Sequence, residues 1–264
     1  MCFDSQLKLL RSSAFQAKDD EQKKKIMKKI FLLLLIPSLL LSCSKKDEKT
    51  DAEISYTKAM KLLKKKNYSE AATGFEKIDD DFPFSKWAVK AQTMAIYARY
   101  KDEDYTKLLS VAEDFLRLNP NSEYVPYVLY MKGLSYYNQI PIIESAQDHT
   151  QQASFAFREL VARFPSSDYT ADTKEKLEFV DEHLAGAKMS IGRYQIRNQN
   201  YVGAINNFSD VVERYRQTNQ VPEAYFRLTE IYRKIGLKEE ASKVQKQLVE
   251  RFPENYWTKL AQKK

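Results

Sequence analysis

The residue types that most often do chemistry are scarce in this chain. Its 264 residues include two histidines, His149 and His183, and two cysteines, Cys2 and Cys43. Metal centres, Cys–His nucleophile pairs and His-centred triads all need several such residues to converge. His149 stands in a polar stretch and His183 follows Asp181 and Glu182, with no ligand-spaced cluster around either. Both read as surface histidines, and no metal is expected. Asp79-Asp80-Asp81 lacks the alternating spacing of a calcium loop and reads as a helix end running into Phe82-Pro83. Six glycines in the whole length leave no phosphate-cradling loop. Paired carboxylates for glycoside hydrolysis carry little weight, because 36 Asp and Glu make chance pairs common. No catalytic residue is assigned, and no enzyme activity is expected.

Cys43 is the exception. Met27-Lys28-Lys29 precedes Ile30 to Leu41, twelve residues without a charge, and then Ser42-Cys43. A basic start, a short apolar run and a small-residue site form a secretory signal. As a helix that run reaches about 18 Å, short of the ~30 Å hydrocarbon layer of a membrane, and Pro37 interrupts it. The ending Leu40-Leu41-Ser42-Cys43 resembles the bacterial lipoprotein lipobox, which implies that Cys43 is acylated and becomes the new N-terminus. The alternative, a buried Cys closing an apolar helix, fits poorly with the solvated Ser44-Lys45-Lys46-Asp47-Glu48-Lys49 that follows. A covalent lipid on Cys43 is therefore expected, and no other cofactor. Ser44, where such lipoproteins carry Asp for inner-membrane retention, leans toward the outer membrane. The expected layout is an upstream extension at 1–26 with initiation at Met27, a signal peptide at 27–42, and an acylated start with flexible tether at 43–51. Without Cys2, and with Cys43 consumed by lipid, the mature chain has no thiol and must hold together by packing alone.

The formal charge of +7 and pI near 9.1 resemble a nucleic-acid footprint. However, residues 1–42 hold eight Lys and Arg against four Asp and Glu, which leaves 35 basic and 32 acidic residues in the remainder. A balance of +3 describes a mixed, solvated surface, and no nucleic acid is expected as a partner.

From Asp51 onward apolar residues recur at helical spacing, and no alternating strand pattern occurs. The stronger signal is self-similarity. Ala71, Leu108, Ala153, Ala204 and Ala241 open one class of helix. Four residues on stand Phe75, Ala112, Phe157, Phe208 and Gln245; seven on, Ile78, Phe115, Leu160, Val211 and Leu248; eleven on, Phe82, Asn119, Phe164, Tyr215 and Phe252. Proline follows in four of the five, Arg216 in the other. The spacing predicts partner helices near 54–65, 85–101, 124–139, 176–198 and 222–235. The Ala, Phe and Pro positions match the second half of the tetratricopeptide consensus. The fold expected is an all-α, tetratricopeptide-like helical-hairpin solenoid of about five degenerate repeats. Repeats one and two occupy 52–123. Repeat three, with an insert from Asn138 to Thr150 and a long connecting helix, occupies 124–198. Repeats four and five with a tail occupy 199–264. An ordinary helical bundle is the alternative.

Several segments are more specific than the repeat: Asp81-Phe82-Pro83-Phe84-Ser85, Tyr130-Met131-Lys132-Gly133-Leu134, Asn138-Gln139-Ile140-Pro141, Phe164-Pro165-Ser166-Ser167-Asp168-Tyr169, Gly192-Arg193-Tyr194, and Tyr201-Val202-Gly203-Ala204. Together with the lipobox they resemble the BamD, or ComL, family of outer-membrane assembly lipoproteins over about residues 43–257. That resemblance implies a non-enzymatic subunit of the β-barrel assembly machine, lipid-anchored on the periplasmic face of a Gram-negative outer membrane. It also implies contacts with the POTRA domains of BamA and with other Bam lipoproteins, and recognition of unfolded β-barrel precursors. Asn206, Asn207, Arg214 and Arg227, in repeats four and five, are then the polar candidates for docking on BamA. The competing hypothesis is a cell-envelope or competence lipoprotein that organises peptidoglycan or takes part in DNA uptake.

In a tetratricopeptide solenoid the first helix of each unit lines the concave groove. Counting back from Ala71 places Tyr56, Met60 and Lys64 there, and counting back from Leu108 places Tyr97, Tyr100 and Lys101. Aromatic walls with a lysine at the rim suit a chain end bearing an aromatic residue and a free carboxylate. The alternative is that these tyrosines pack between repeats. Lys58, Lys61, Lys64, Lys65 and Lys66 form either a solvated face or a surface attracted to anionic headgroups or a peptide carboxylate.

The signal reading yields a direct test. Cys43→Ala protein should lose metabolic acyl labelling and leave the membrane fraction. Unchanged labelling and retention would place the anchor elsewhere.

Overall fold

A computed structural model describes residues 50–263. The signal, the lipidated Cys43 and the 1–26 extension expected from sequence lie outside the described residues, as does all of the tether before Thr50. The described residues form eleven α-helices and no strand. In chain order they are α1 (Asp51–Lys64), α2 (Tyr68–Asp81), α3 (Lys86–Lys101), α4 (Tyr105–Leu118), α5 (Val125–Tyr137), α6 (Asp148–Arg163), α7 (Thr170–Arg197), α8 (Tyr201–Arg214), α9 (Val221–Lys234), α10 (Lys238–Arg251) and α11 (Tyr256–Lys263). Successive helices pair as five hairpins, α1/α2 through α9/α10, each packed on the next, and α11 closes on α9 and α10. None of them is long and apolar enough to cross a membrane.

The local chemistry repeats with the sequence. In the second helix of every hairpin the anchor residue and the residue seven on are buried. The residue eleven on is the C-cap in all five, leaving helical geometry while its N–H still bonds the carbonyl four residues back. Four of the hairpins turn through three residues whose middle member has positive φ: Lys66 at 62°, Glu103 at 59°, Gln199 at 60° and Gly236 at 86°. The next N–H reaches back five residues, as in Asn67 to the Leu62 carbonyl at 3.0 Å and Asn200 to the Gln195 carbonyl at 2.9 Å. This Schellman closure satisfies the last carbonyls of the first helix. Only Gly236 takes the left-handed conformation without steric cost. Asp104 and Asn200 then cap the second helix by accepting the N–H of Lys107 and Gly203.

Repeat three departs from this plan. Its turn is replaced by the insert, which both histidines fasten. His183 Nε2–H donates to the Pro141 carbonyl at 2.8 Å, and His149 Nδ1 lies 3.2 Å from the Gln139 carbonyl. His149 is exposed and His183 half-buried. The Gln147 amide donates to the carbonyls of Ile142 and Ser145, and Ile143 lies against Gly186.

Packing between paired helices is set by side-chain volume. A Cβ built on Gly133 would stand 2.2 Å from the Phe157 ring, and one on Gly192 would stand 2.6 Å from Phe208. In repeat one Ala59 holds the corresponding place and Phe75 fills it. In repeat two the sizes are exchanged, with Ile96 on the first helix and Ala112 on the second, both fully buried in one core. Three core clusters result. One joins α1, α2 and α3, one runs from α3 to α7, and one runs from α7 to α11. α7 has 28 residues and serves two of them, Val180 and Leu184 in one and Ala185 and Met189 in the next. Its helix begins at Thr170, six residues before the expected start, because Thr170 and Thr173 are buried and hydrogen-bonded to the carbonyls of Phe164 and Tyr169. The C-terminal tail expected from sequence is instead the helix α11. Trp257 packs on Phe226 at 5.2 Å and Ala261 is buried, so α11 covers the apolar end that a last repeat leaves open.

Gly133→Ala should therefore destabilise the protein by about 1–3 kcal/mol, because the added methyl must displace the Phe157 ring. That corresponds to a melting point lower by several degrees in far-UV circular dichroism. Adding Phe157→Leu should recover part of the loss, whereas Phe157→Leu alone should destabilise.

Candidate functional site

The first helices of repeats two, three and four carry a run of tyrosines on one side. On α3 these are Tyr97, 38% exposed, and the half-buried Tyr100. On α5 they are Tyr127 and Tyr130, and Tyr169 sits at the start of α7. The Tyr169 ring lies 5.0 Å from Tyr130, stacked, and 5.7 Å from Tyr127, tilted. Burial pushes the Tyr127 hydroxyl far above its ordinary value, with the nearby Tyr169 and Tyr97 adding to the shift. Burial does the same to Tyr130, reinforced by its hydrogen bond to Asp172. Both remain protonated donors at any physiological pH.

A charged cluster borders these rings. Tyr130 donates to Asp172 Oδ2 at 2.6 Å and Lys176 donates to Asp172 Oδ1 at 2.6 Å. Burial pushes the Asp172 carboxyl upward, but the Lys176 and Tyr130 hydrogen bonds and the Lys176 charge outweigh it and hold the carboxyl below its ordinary value. The Lys176 ammonium also lies 5.9 Å from the centre of the Tyr137 ring. Nearby, the Asn138 amide donates to the hydroxyls of Tyr100 and Tyr105 at 3.1 and 3.2 Å. The result is an aromatic surface with hydroxyls, one ammonium and one carboxylate at its border, suited to holding an extended chain by ring contacts and hydrogen bonds.

The six groove residues expected from sequence divide. Tyr97 and Lys101 are exposed on α3, beside the tyrosine run, and Tyr100 is within it with its hydroxyl engaged. Lys64 is exposed at the end of α1. Tyr56 and Met60 are half-buried in the core of α1, α2 and α3, where the Tyr56 ring lies 5.4 Å from Phe75 and 4.9 Å from Trp87. They pack between repeats because, among the described residues, the apolar stripe of α1 is buried against α2 and α3. Register counting missed Tyr127, Tyr130, Tyr169 and Asp172. The anchors of repeats one and two do not reach them, because the insert shifts the register of repeat three; the Tyr-x2-Tyr spacing at 127 and 130 is the signal the sequence offers.

The four C-terminal candidates divide as well. Asn206 and Arg214 are exposed on α8, with Arg214 3.5 Å from Asp210. Asn207 donates to Gln195 Oε1 and the Gly203 carbonyl and so ties α8 to α7. Arg227 bonds Glu223 and Glu230 and lies 5.2 Å from the Trp257 ring, an internal brace for α11. Among the described residues, no group of three or more His, Cys, Asp or Glu is placed to hold a metal ion. Cys43, the expected lipidation site, lies outside them.

Similarity to other proteins extends over most of the chain. The family model YfiO, an outer membrane lipoprotein, matches residues 47–248. The outer membrane protein assembly factor BamD of Caulobacter vibrioides is 34% identical over 210 residues, covering 80% of this chain and 69% of that one. BamD of Rickettsia prowazekii is 32% identical over 223 residues, covering 83% and 89%. BamD of Neisseria meningitidis serogroup A is 32% identical over 213 residues, covering 77% and 80%.

Tyr130→Phe tests the border of the tyrosine run. Asp172 is then held by Lys176 alone, and its carboxyl should titrate nearer the ordinary value, visible as a shifted ¹³C carboxyl titration. Because its folded value is depressed, the stability it contributes is present above the unfolded value and is lost as pH falls through the folded one. The Asp172 side chain is 45% exposed, so screening limits the cost to about 0.5–1 kcal/mol at neutral pH, and that cost should shrink in acid.

Proposed function

The chain belongs to the YfiO family of outer membrane lipoproteins and is an outer membrane protein assembly factor; on that premise we propose that it is a non-enzymatic scaffold and substrate receptor. It acts from the periplasmic face of the outer membrane, held there by lipid on Cys43. One observation carries the receptor reading: the tyrosine run across three successive first helices. Its rings and hydroxyls can hold an extended chain through contacts that do not depend on one fixed sequence. Unfolded β-barrel precursors are such chains. Tyr97 and Lys101 stand at its open edge on α3, where an aromatic residue and a terminal carboxylate would find a ring and an ammonium together.

The partners follow from the same premise. The POTRA region of BamA and the other Bam lipoproteins are the machine this factor serves, with Asn206 and Arg214, both exposed on α8, as docking residues. Peptidoglycan or DNA as the cargo finds no counterpart in the relatives' names, all of which denote assembly factors.

Tyr97→Ala/Lys101→Ala protein should keep its helicity and bind a precursor C-terminal peptide roughly tenfold more weakly, since each lost contact costs on the order of 1 kcal/mol. The amidated peptide, which loses only the contact with Lys101, should bind the parent more weakly than the free acid does, by less than the double variant's loss. Parent-like binding by the helical variant would move the receptor away from this face.

A further inference from the structure

The length of α7 has a second consequence. α6 packs on its first half and α8 on its second, which leaves a cleft between α6 and α8 with the middle of α7 as its floor. Three adjoining cavities of about 360, 540 and 750 Å³ run along it, and Tyr215 lines all three. Tyr215 also packs against both neighbouring cores.

The central cavity is lined by Arg158 from α6, Lys188 from α7 and Arg214 from α8, with no carboxylate in its wall. The neighbouring cavities do hold acids, Glu144 in one and Glu178, Asp181 and Glu182 in the other, so the positive stretch is the central cavity, and its cations are braced by carboxylates outside its wall. Arg158 pairs with Asp181 at 2.6 Å, Lys188 with Asp210 at 2.8 Å, and Arg214 with Asp210 at 3.5 Å. The Asp181 and Asp210 side chains are 24% and 27% exposed, against 51% for Arg158 and 73% for Arg214. The carboxylates therefore orient the cations, and the cations present the charge. Beside them Phe155 is 64% exposed, and Leu184 forms apolar floor.

We infer that the cleft between α6 and α8 docks an acidic segment of a partner polypeptide, with its carboxylates on Arg158 and Lys188 and an apolar residue against Phe155 and Leu184. Charge complementarity points to the acid. Recession points to a polypeptide, because Lys188 lies between two helices where a carboxylate on a flexible stem reaches and a flat lipid surface does not. The surface is separate from the tyrosine run and shares only Arg214 with the docking residues proposed for α8, so the variants below leave Arg214 in place.

The test uses the full chain in detergent micelles and a short labelled peptide of alternating Glu and Leu, with its Gln counterpart as control. Fluorescence anisotropy should show salt-sensitive binding of the Glu peptide and little of the Gln peptide. Arg158→Gln/Lys188→Gln should weaken binding about tenfold with helicity unchanged. Asp210→Asn, which frees Lys188 and Arg214, should tighten it. The inference is overturned by parent-like binding in the double glutamine variant, by equal binding of the Gln peptide, or by weaker binding to Asp210→Asn. It is equally overturned if phosphatidylglycerol vesicles, and not the Glu peptide, bind through Arg158 and Lys188.

Discussion

Everything in this solenoid depends on how closely the two helices of a hairpin approach, and a large side chain against a small one decides that distance. Phe157 over Gly133 and Phe208 over Gly192 leave no room for even one methyl group. Phe75 with Ala59, and Ile96 with Ala112, follow the same rule of complementary volume. Interiors at crystal-like density transmit such constraints, so the hairpin spacing determines how the next hairpin can stack. The left-handed turns at Lys66, Glu103 and Gln199 illustrate the force of this constraint. Three non-glycine residues accept an unfavourable backbone conformation because the Schellman closure it permits satisfies the helix end and returns the chain at the required separation.

Stacking is then locked by a few polar pairs between repeats. Arg99 on α3 is buried and reaches back to Glu76 on α2 through two hydrogen bonds of 2.8 and 2.7 Å. The carboxylate of Glu76 and the neighbouring Asp104 hold the Arg99 guanidinium above its ordinary value, so the pair is charged in the folded protein. Buried pairs of this kind add little net stability over apolar packing but are costly to break, which favours one register over its neighbours. Glu182 does similar work at the other end by accepting from the Asn219 N–H and the Gln220 amide.

With helix spacing and register settled, function falls to the faces that packing leaves open. The first helices present tyrosines that bury their rings and keep polar tips, a surface suited to an unfolded chain. The second helices present α6 and α8, parted by the doubled length of α7, with cations held on carboxylate supports. On the proposed reading, one face takes a client in transit and the other a fixed neighbour. Among the described residues the titration shifts follow burial and pairing.

The repeat architecture was legible in the sequence because it rests on local periodicity. Ala-x3-Phe-x2-apolar-x3-Phe-Pro writes the buried stripe and the stop of each second helix directly into the chain, and the buried anchors and C-caps occupy those positions. Family membership was legible for the same reason, since linker lengths and the Gln139-Ile140-Pro141 insert are linear features. The tyrosine run was only half legible. Tyr97 and Tyr100 follow from the register, but Tyr56 turns into the core, and Tyr130, Tyr169 and Asp172 meet only because the insert and the early start of α7 bring α5 and α7 together. α11 escaped periodicity, being eight residues long, and its reason is an apolar end that exists only once five hairpins are stacked. The cleft over α7 escaped it entirely. Arg158, Lys188 and Arg214 are separated in sequence and belong to three helices, and nothing in their local patterns marks them. Periodicity along one chain determines which face of each helix is buried; which exposed faces meet is decided by the separation and stagger of whole helices.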